Sequence, residues 1–366
     1  MRVLVTADTL GGVWTYTREL VTQLVRRGHE VVLVSLGNIP NAEQTTWLDG
    51  LARVDFRPTA FKLEWMQDCE ADLQESSDYL LQIISETRPD LLHSSQYCYG
   101  ALDCNIPKVV VAHSDVMSWW WAVHGEAPPE NDWIRSYRKI VHRGLHAADG
   151  VVAVSRWMVS ELNRLYGEFQ RQRVIYNGRN AAHFSPYMPK EALAVSVGRL
   201  WDSGKNTKLL AKCNAPLPVC IAGVESNPET GEIIQWRHDV SVELRPQQSE
   251  AQMRMLLGRA SIYVATSQYE PFGLAPLEAA LSRCAILAND IDTFHELWGD
   301  RALYFRHNDV EDLKRQLQRL RDDVRLRTDL ANAAYQHALA HFSASKMCEQ
   351  YVDLYADLLP ARAQVA

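Results

Sequence analysis

Short runs rich in Val, Ile and Leu alternate with amphipathic stretches along almost the whole chain, and this alternation constrains the fold more than any other feature. The runs in the first half are Arg2–Thr6, Glu30–Ser35, Val54–Phe56, Asp90–His93, Lys108–His113, Gly150–Ser155 and Arg173–Tyr176. They are nearly all apolar rather than alternating in polarity, as parallel strands buried on both faces require. Between the first two, Thr15–Arg27 reads as a helix stopped by Gly28. The pattern breaks at Asn177–Glu191, where Asn177-Gly178, Pro186 and Pro189 gather turn chemistry. It restarts with Ala192–Val197, Pro218–Ala222, Val240–Leu244, Ser261–Thr266, Cys284–Ala288 and Leu303–Phe305. Helices are expected at Ser249–Arg259 and Leu277–Arg283, and Asp309–Leu359 reads as two or three more. Strand–helix alternation on both sides of one break predicts two doubly wound, Rossmann-like α/β domains in series.

Composition narrows the function classes. The chain has 366 residues, 47% apolar and 23% charged, the profile of a globular protein with material for two cores. Lys plus Arg total 38 against 45 Asp plus Glu, a net charge of −7, which argues against a protein built to bind nucleic acid. Seven cysteines without a C-x-x-C fit a reducing compartment rather than a disulfide framework or zinc ribbon. Met1–Asp8 is too short an apolar run for a signal peptide, and no stretch approaches a membrane span. A cytoplasmic protein is expected. The basic stretch Arg135, Arg138, Lys139, His142, Arg143 and His146 reads as a solvated helix face, with peripheral contact at an anionic inner membrane surface as the alternative.

The most informative segment is Ser267–Ala280, which follows the run Ser261–Thr266 and opens a helix. Gly273 allows close backbone approach, and Pro276 suits a first helical turn, where its missing N–H costs nothing. Unpaired N–H groups near Phe272, Gly273 and Leu274 would favour an anion. Glu270 precedes the helix and Glu278 lies within it, pointing back toward the same place. An anion site between two carboxylates suits a phosphate joined to hydroxyl-rich groups; the plainer reading is a helix end favoured by acidic residues.

The pattern E-P-F-G-L-x-P-L-E-A resembles the two-glutamate signature of retaining nucleotide-sugar glycosyltransferases of the GT-B fold, especially glycosyltransferase family 4. The resemblance implies two Rossmann-like domains facing across a cleft, residues 1–182 and 183–345, with residues 346–366 a helix returning to the N-terminal domain. It implies that Glu270 faces the transferred sugar, that Glu278 binds the nucleotide ribose, and that Phe272 to Leu274 meet the sugar and diphosphate. Val197-Gly198-Arg199-Leu200 is similar to the family's G-R-L, followed by Lys205 in Gly204-Lys205-Asn206, where the family usually has E-K-G. Arg199 and Lys205 would stabilise the departing diphosphate, with Lys208 as the substitute reading. Gly11-Gly12 resembles the family's glycine turn near the donor; it is not G-x-G-x-x-G, which disfavours a nicotinamide cofactor. His113, ending Lys108–His113, takes the place of a histidine that contacts the sugar near the reacting carbon, and Asp115 would orient it or cap the next turn.

Looser matches complete the resemblance. Ser155 reads as a helix N-cap, and Asn177-Gly178-Arg179-Asn180 resembles N-G-V-D with its acid replaced. Ile221-Ala222-Gly223-Val224-Glu225 resembles a G-x-G near the base with the second glycine lost. Asp290-Ile291-Asp292 looks like a D-x-D metal motif but reads as a loop and helix cap, so no metal site is assigned. Among 11 tryptophans, Trp119, Trp120 and Trp121 are consecutive and cannot share one helix face. With Trp14, Tyr16 and Asp115 they are the expected acceptor-side residues, against packing under a loop as the alternative. The expected activity is a metal- and cofactor-independent, retaining hexosyl transfer from a nucleotide diphosphate sugar, UDP-sugar favoured, to an acceptor hydroxyl. Another GT-B enzyme (an epimerase, or a synthase or phosphorylase of free sugars) and a non-catalytic nucleotide-sugar binder are the alternatives.

Overall fold

The computed structural model describes residues 1–9, 11–227, 231 and 242–359. The chain forms two compact units. The first comprises residues 1–121, 126–178 and 344–366; the second comprises 122–125 and 179–343.

The first unit is a seven-stranded parallel sheet of β1 (Arg2–Asp8), β2 (Glu30–Leu36), β3 (Val54–Pro58), β4 (Leu91–Ser94), β5 (Lys108–Ala112), β6 (Gly150–Ala153) and β7 (Gln172–Val174). Their order is β3-β2-β1-β4-β5-β6-β7. The second is a six-stranded parallel sheet of β8 (Glu191–Val197), β9 (Val219–Ala222), β10 (Val242–Arg245), β11 (Ala260–Ala265), β12 (Ala285–Asn289) and β13 (Leu303–Phe305), in the order β10-β9-β8-β11-β12-β13. Val240 and Ser241, part of one expected strand, lie outside the described residues.

Consecutive residues such as Val3, Leu4 and Val5 are all fully buried, because helices cover both faces of the sheet. In the second unit Ile221, Ile262, Val264 and Leu287 pack with Leu313, Leu317 and Leu320 of the helix Val310–Asp322. Among the described residues three helices follow β13: Val310–Asp322, Val324–His341 and Ala344–Leu358. The last belongs to the first unit, where Tyr351 packs edge-on against Tyr16 at 6.1 Å and Ser345 accepts from Arg27.

Each sheet has one place where the winding reverses, between β1 and β4 and between β8 and β11. Loops leaving the carboxyl ends of such strand pairs splay apart and leave a crevice, the usual ligand position in an open α/β sheet.

Candidate functional site

The second unit builds its site on the loops after β8 and β11. The β8 loop turns tightly: Lys205 N–H donates to the Asp202 carbonyl at 2.9 Å, and Gly204 N–H to the Asp202 carboxylate at 2.8 Å. The β11 loop docks on it, with Gln268 and Tyr269 N–H both donating to the Gly204 carbonyl and Thr266 Oγ1 to the Lys205 carbonyl. This docking delivers Lys205 to Glu270. Lys205 Nζ lies 2.8 Å from Oε1 and 2.6 Å from Oε2, and Ser267 Oγ donates to Oε2 at 2.9 Å. Lys208 is exposed on the next short helix, so Lys205 is the cation that reaches Glu270. Arg199 pairs with Asp202 at 2.5 Å and stacks over Trp201. Burial alone would raise the Asp202 carboxyl, but Arg199 and Lys205 outweigh it and hold it below its ordinary range.

The helix after this loop is Leu274–Leu281, which starts earlier than the expected Leu277. Gly273 is its N-cap, with φ 88°, a backbone state that favours glycine. No side chain caps the first turn, and no acidic residue sits in it. Its leading N–H groups are therefore open to an anion of substrate size. The Phe272 side chain is buried edge-on against Phe342 at 5.4 Å. Glu278 lies within the helix, and its Oε1 is 3.0 Å from Nε of Arg179, whose side chain is only 4% exposed.

In the first unit Gly11 is the N-cap of the helix Gly12–Arg26, with φ 79°, so the glycine is required there. Gly12 is absent from the positive-φ glycines and has no such requirement. His113 directly follows β5. Its Nε2 is 3.5 Å from Ser95 Oγ, and its ring meets Tyr16 edge-on at 4.4 Å. The ring is only partly exposed, and the protein around it disfavours the charged form, lowering its pKa to about 3. Behind it sits His93, fully buried at the end of β4. Tyr16 Oη is 3.0 Å from His93 Nε2, and Tyr355 Oη is 2.6 Å from Nδ1. Burial, with help from His113, holds His93 neutral with a pKa of about 3. A neutral imidazole offers one donor and one acceptor, so one tyrosine donates to it and the other accepts.

Comparison with known proteins places this geometry. The pattern described as Glycosyltransferase Family 4 matches residues 10–183, and that described as Glycosyl transferases group 1 matches residues 182–337. The chain belongs to the family-4 glycosyltransferases. It is 26% identical over 294 residues to an alpha-maltose-1-phosphate synthase of Mycobacterium tuberculosis, covering 70% of this chain and 74% of that one. It is 24% identical over 188 residues to the O-antigen chain mannosyltransferase RfbU of Salmonella typhimurium, covering 47% and 51%. Its GT-B architecture matches sucrose-phosphate synthase from Thermosynechococcus elongatus with TM-score 0.78 at 17% identity, covering 98% of this chain and 99% of that one. Anabaena HepE, solved in complex with UDP-glucose, matches with TM-score 0.74 at 15% identity, covering 98% and 100%.

Within this glycosyltransferase the expected acceptor residues divide by burial. Tyr16 and Asp115 are each 1% exposed, which corrects the expectation that they touch an acceptor. Tyr16 serves His93 instead. Asp115 accepts from Tyr137 and Tyr166 hydroxyls at 3.0 and 2.5 Å and from Ser118 N–H at 2.7 Å. Burial raises its carboxyl against the pull of those bonds. Asp115 therefore caps the helix Val116–His124 from inside the core. Trp14 is corrected likewise: it is 7% exposed, packs on Trp47 and Phe56, and donates to the Gln44 carbonyl at 2.9 Å. Trp119 and Trp120 are half-buried with rings 6.2 Å apart, while Trp121 is 37% exposed with the Arg164 guanidinium 5.6 Å over its face.

Other motif readings resolve too. Ser155 caps its helix through Met158 N–H at 3.1 Å. Asp290 does not cap the next helix; its N-cap is Ile291, without a side-chain bond, and Asp290 pairs with His295 at 2.6 Å. Among the described residues no group of three or more His, Cys, Asp or Glu side chains gathers as a metal site. The seven cysteines are free, and among the described residues no helix is long and apolar enough to cross a membrane. Two participants escape sequence reasoning: Arg179 at Glu278, and His93 behind His113. Arg179 stands where the similar motif has Val, and His93 ends an apolar strand as His113 does; those were the available signals.

Proposed function

We propose that this glycosyltransferase moves a hexose from a UDP-sugar to an acceptor hydroxyl, with retention at the anomeric carbon and without a metal. The observation that carries the reading is the Lys205–Glu270 pair at the ends of the two central strands, beside a helix N-terminus that no side chain caps. A diphosphate at that N-terminus takes Lys205 as a counter-ion. As the bond from the anomeric carbon to the phosphate oxygen breaks, its electron pair stays on the phosphate. Lys205, Arg199 and the helix N–H groups stabilise that charge, and Glu270 faces the positive charge left on the sugar. The acceptor oxygen attaches to the same face, and its proton passes to the departing phosphate oxygen. Glu278, held by Arg179, takes the ribose hydroxyls. In the first unit His113 and the Gly11 turn are the candidates for substrate contact. The Mycobacterium alpha-maltose-1-phosphate synthase, the Salmonella mannosyltransferase and the UDP-glucose complex of HepE support a sugar-nucleotide donor and a sugar acceptor.

Turnover of UDP-, GDP- and ADP-hexoses with and without a chelator tests the reading. Glu270→Gln and Lys205→Ala are each expected to lose about 10²–10³-fold in kcat/KM, the scale for removing one transition-state charge partner. Wild-type rates in both variants would overturn it, and an inverted anomer in the product would overturn retention.

A further inference from the structure

Asn308 lies just past β13, far in sequence from either loop of the site, yet its carboxamide ties both of them together. Asn308 Oδ1 accepts from Asn206 Nδ2 and Asn289 Nδ2, each at 3.0 Å. Its Nδ2 donates to Gln268 Oε1 at 2.9 Å and faces His307 Nε2 at 3.0 Å. The amide orientations follow from backbone groups whose roles are fixed. Gln268 Nε2 donates to the Ser203 carbonyl at 3.1 Å, which turns Gln268 Oε1 toward Asn308. Asn289 accepts from Asn308 N–H at 2.9 Å and donates to the Ser267 carbonyl at 3.2 Å. Asn308 can then only accept from Asn206.

The residues so tied are the neighbours of the charged pair. Asn206 follows Lys205, and Ser267 and Gln268 precede Glu270. Asn206 also explains a departure from the family pattern. It occupies the glycine of E-K-G at φ 47°, a left-handed state that Asn tolerates better than most residues. It is the N-cap of Thr207–Ala211 but makes no capping bond. Its side chain goes to Asn308 instead. Asn289 at the base of the network is fully buried, so its amide bonds to protein groups rather than to bulk water, while Asn206, Gln268 and Asn308 are half-buried above it.

We propose that Asn308 is a positioning residue, which through Asn206 and Gln268 holds the Lys205 and Glu270 loops at the spacing that diphosphate binding requires. The proposal rests on the donor-site reading above. Asn308→Gly keeps a left-handed backbone accessible and deletes the carboxamide; Asn206→Gly restores the family residue and deletes one tie. Hydrogen exchange at Gln268 and Tyr269, whose N–H groups bond to Gly204, reads loop fixation without any ligand. It is expected to speed about 10-fold or more in Asn308→Gly and less in Asn206→Gly. Calorimetry with UDP, GDP and ADP reads the consequence, an expected loss of about 10-fold or more for whichever diphosphate the wild type binds, since small misplacements cost this much. In a Lys205→Ala background the same Asn308→Gly change is expected to cost under about 2-fold, because coupled sites are not additive. Equal losses in both backgrounds, or unchanged exchange at Gln268 and Tyr269, would overturn the positioning role and leave the donor site standing. A wild type that binds none of the three diphosphates would overturn the donor reading and this proposal with it.

Discussion

At the end of β5, His113 lies against a cluster kept neutral. His93 is deprotonated, and burial pushes the Tyr16, Tyr351 and Tyr355 hydroxyls well up, so they stay protonated. At the ends of β8 and β11 the polar groups form charged pairs instead: Lys205 with Glu270, Arg199 with Asp202, Arg179 with Glu278. Both regions sit on parallel sheets of the same class. A buried titratable group must be neutral or paired, and the two units take opposite choices. The neutral cluster gains rigidity from aromatic packing and directional hydrogen bonds. The charged loops place each cation against a carboxylate, and an ion pair can exchange one carboxylate for a phosphate under the donor reading proposed above.

The contrast is broken most severely at Arg179. Arg179→Met leaves Glu278 without this buried partner and is expected to cost about 3–5 kcal/mol, whereas Arg179→Met with Glu278→Leu recovers much of the loss. Chemical denaturation measures it, and hydrogen exchange should assign the loss to β8–β13. A loss under about 1 kcal/mol would show that the pair is solvated.

The neutral region is tested by pH. His93 binds no proton in the fold until about pH 3, but an ordinary histidine titrates at 6.5, so the unfolded chain takes one up first as pH falls. Its contribution is therefore present above pH 6.5 and is lost on acidification, at up to about 1.4 kcal/mol per pH unit. Glu64, buried with a pKa of about 7, works the other way, since the folded state is then the one that holds the proton as pH falls from 7. The clean measurement is thus the stability difference between wild type and His93→Phe, expected to shrink steadily from pH 6.5 downward. A pH-independent difference would mean that His93 takes up its proton in the fold as readily as in the unfolded chain.

The smallest effect is expected at Trp121. Trp121→Ala removes a partly exposed ring from under Arg164, worth about 0.5–1 kcal/mol. If acceptor turnover falls far more than stability does, Trp121 belongs to the acceptor surface rather than to packing.

Much of the fold could be read from residue order, because a strand buried on both faces must be apolar throughout. Leu303–Phe305 matches its strand end for end, and Glu30–Ser35 differs by one residue. The helix at Leu274 was misplaced because its start is set by the Gly273 backbone and not by periodicity. The contact between Lys205 and Glu270 joins two loops that the sequence had marked, whereas the burial of three residues expected on the acceptor side had no local signal. Trp14, Tyr16 and Asp115 carry side chains that suit a sugar, but packing against Trp47, His93 and Tyr166 turned them inward.

The sequence by itself determined the two-unit α/β architecture, the loops that carry Glu270 and Lys205, and the backbone demands at Gly11 and Gly273. These depend on local pattern and on φ. Only the tertiary structure decided which charges pair and which side chains reach a surface. It put Arg179 on Glu278 across 99 residues of separation, Tyr355 on His93, and Asn308 between two loops. Such contacts come from how strands far apart in the chain are wound beside one another, and no local pattern encodes that.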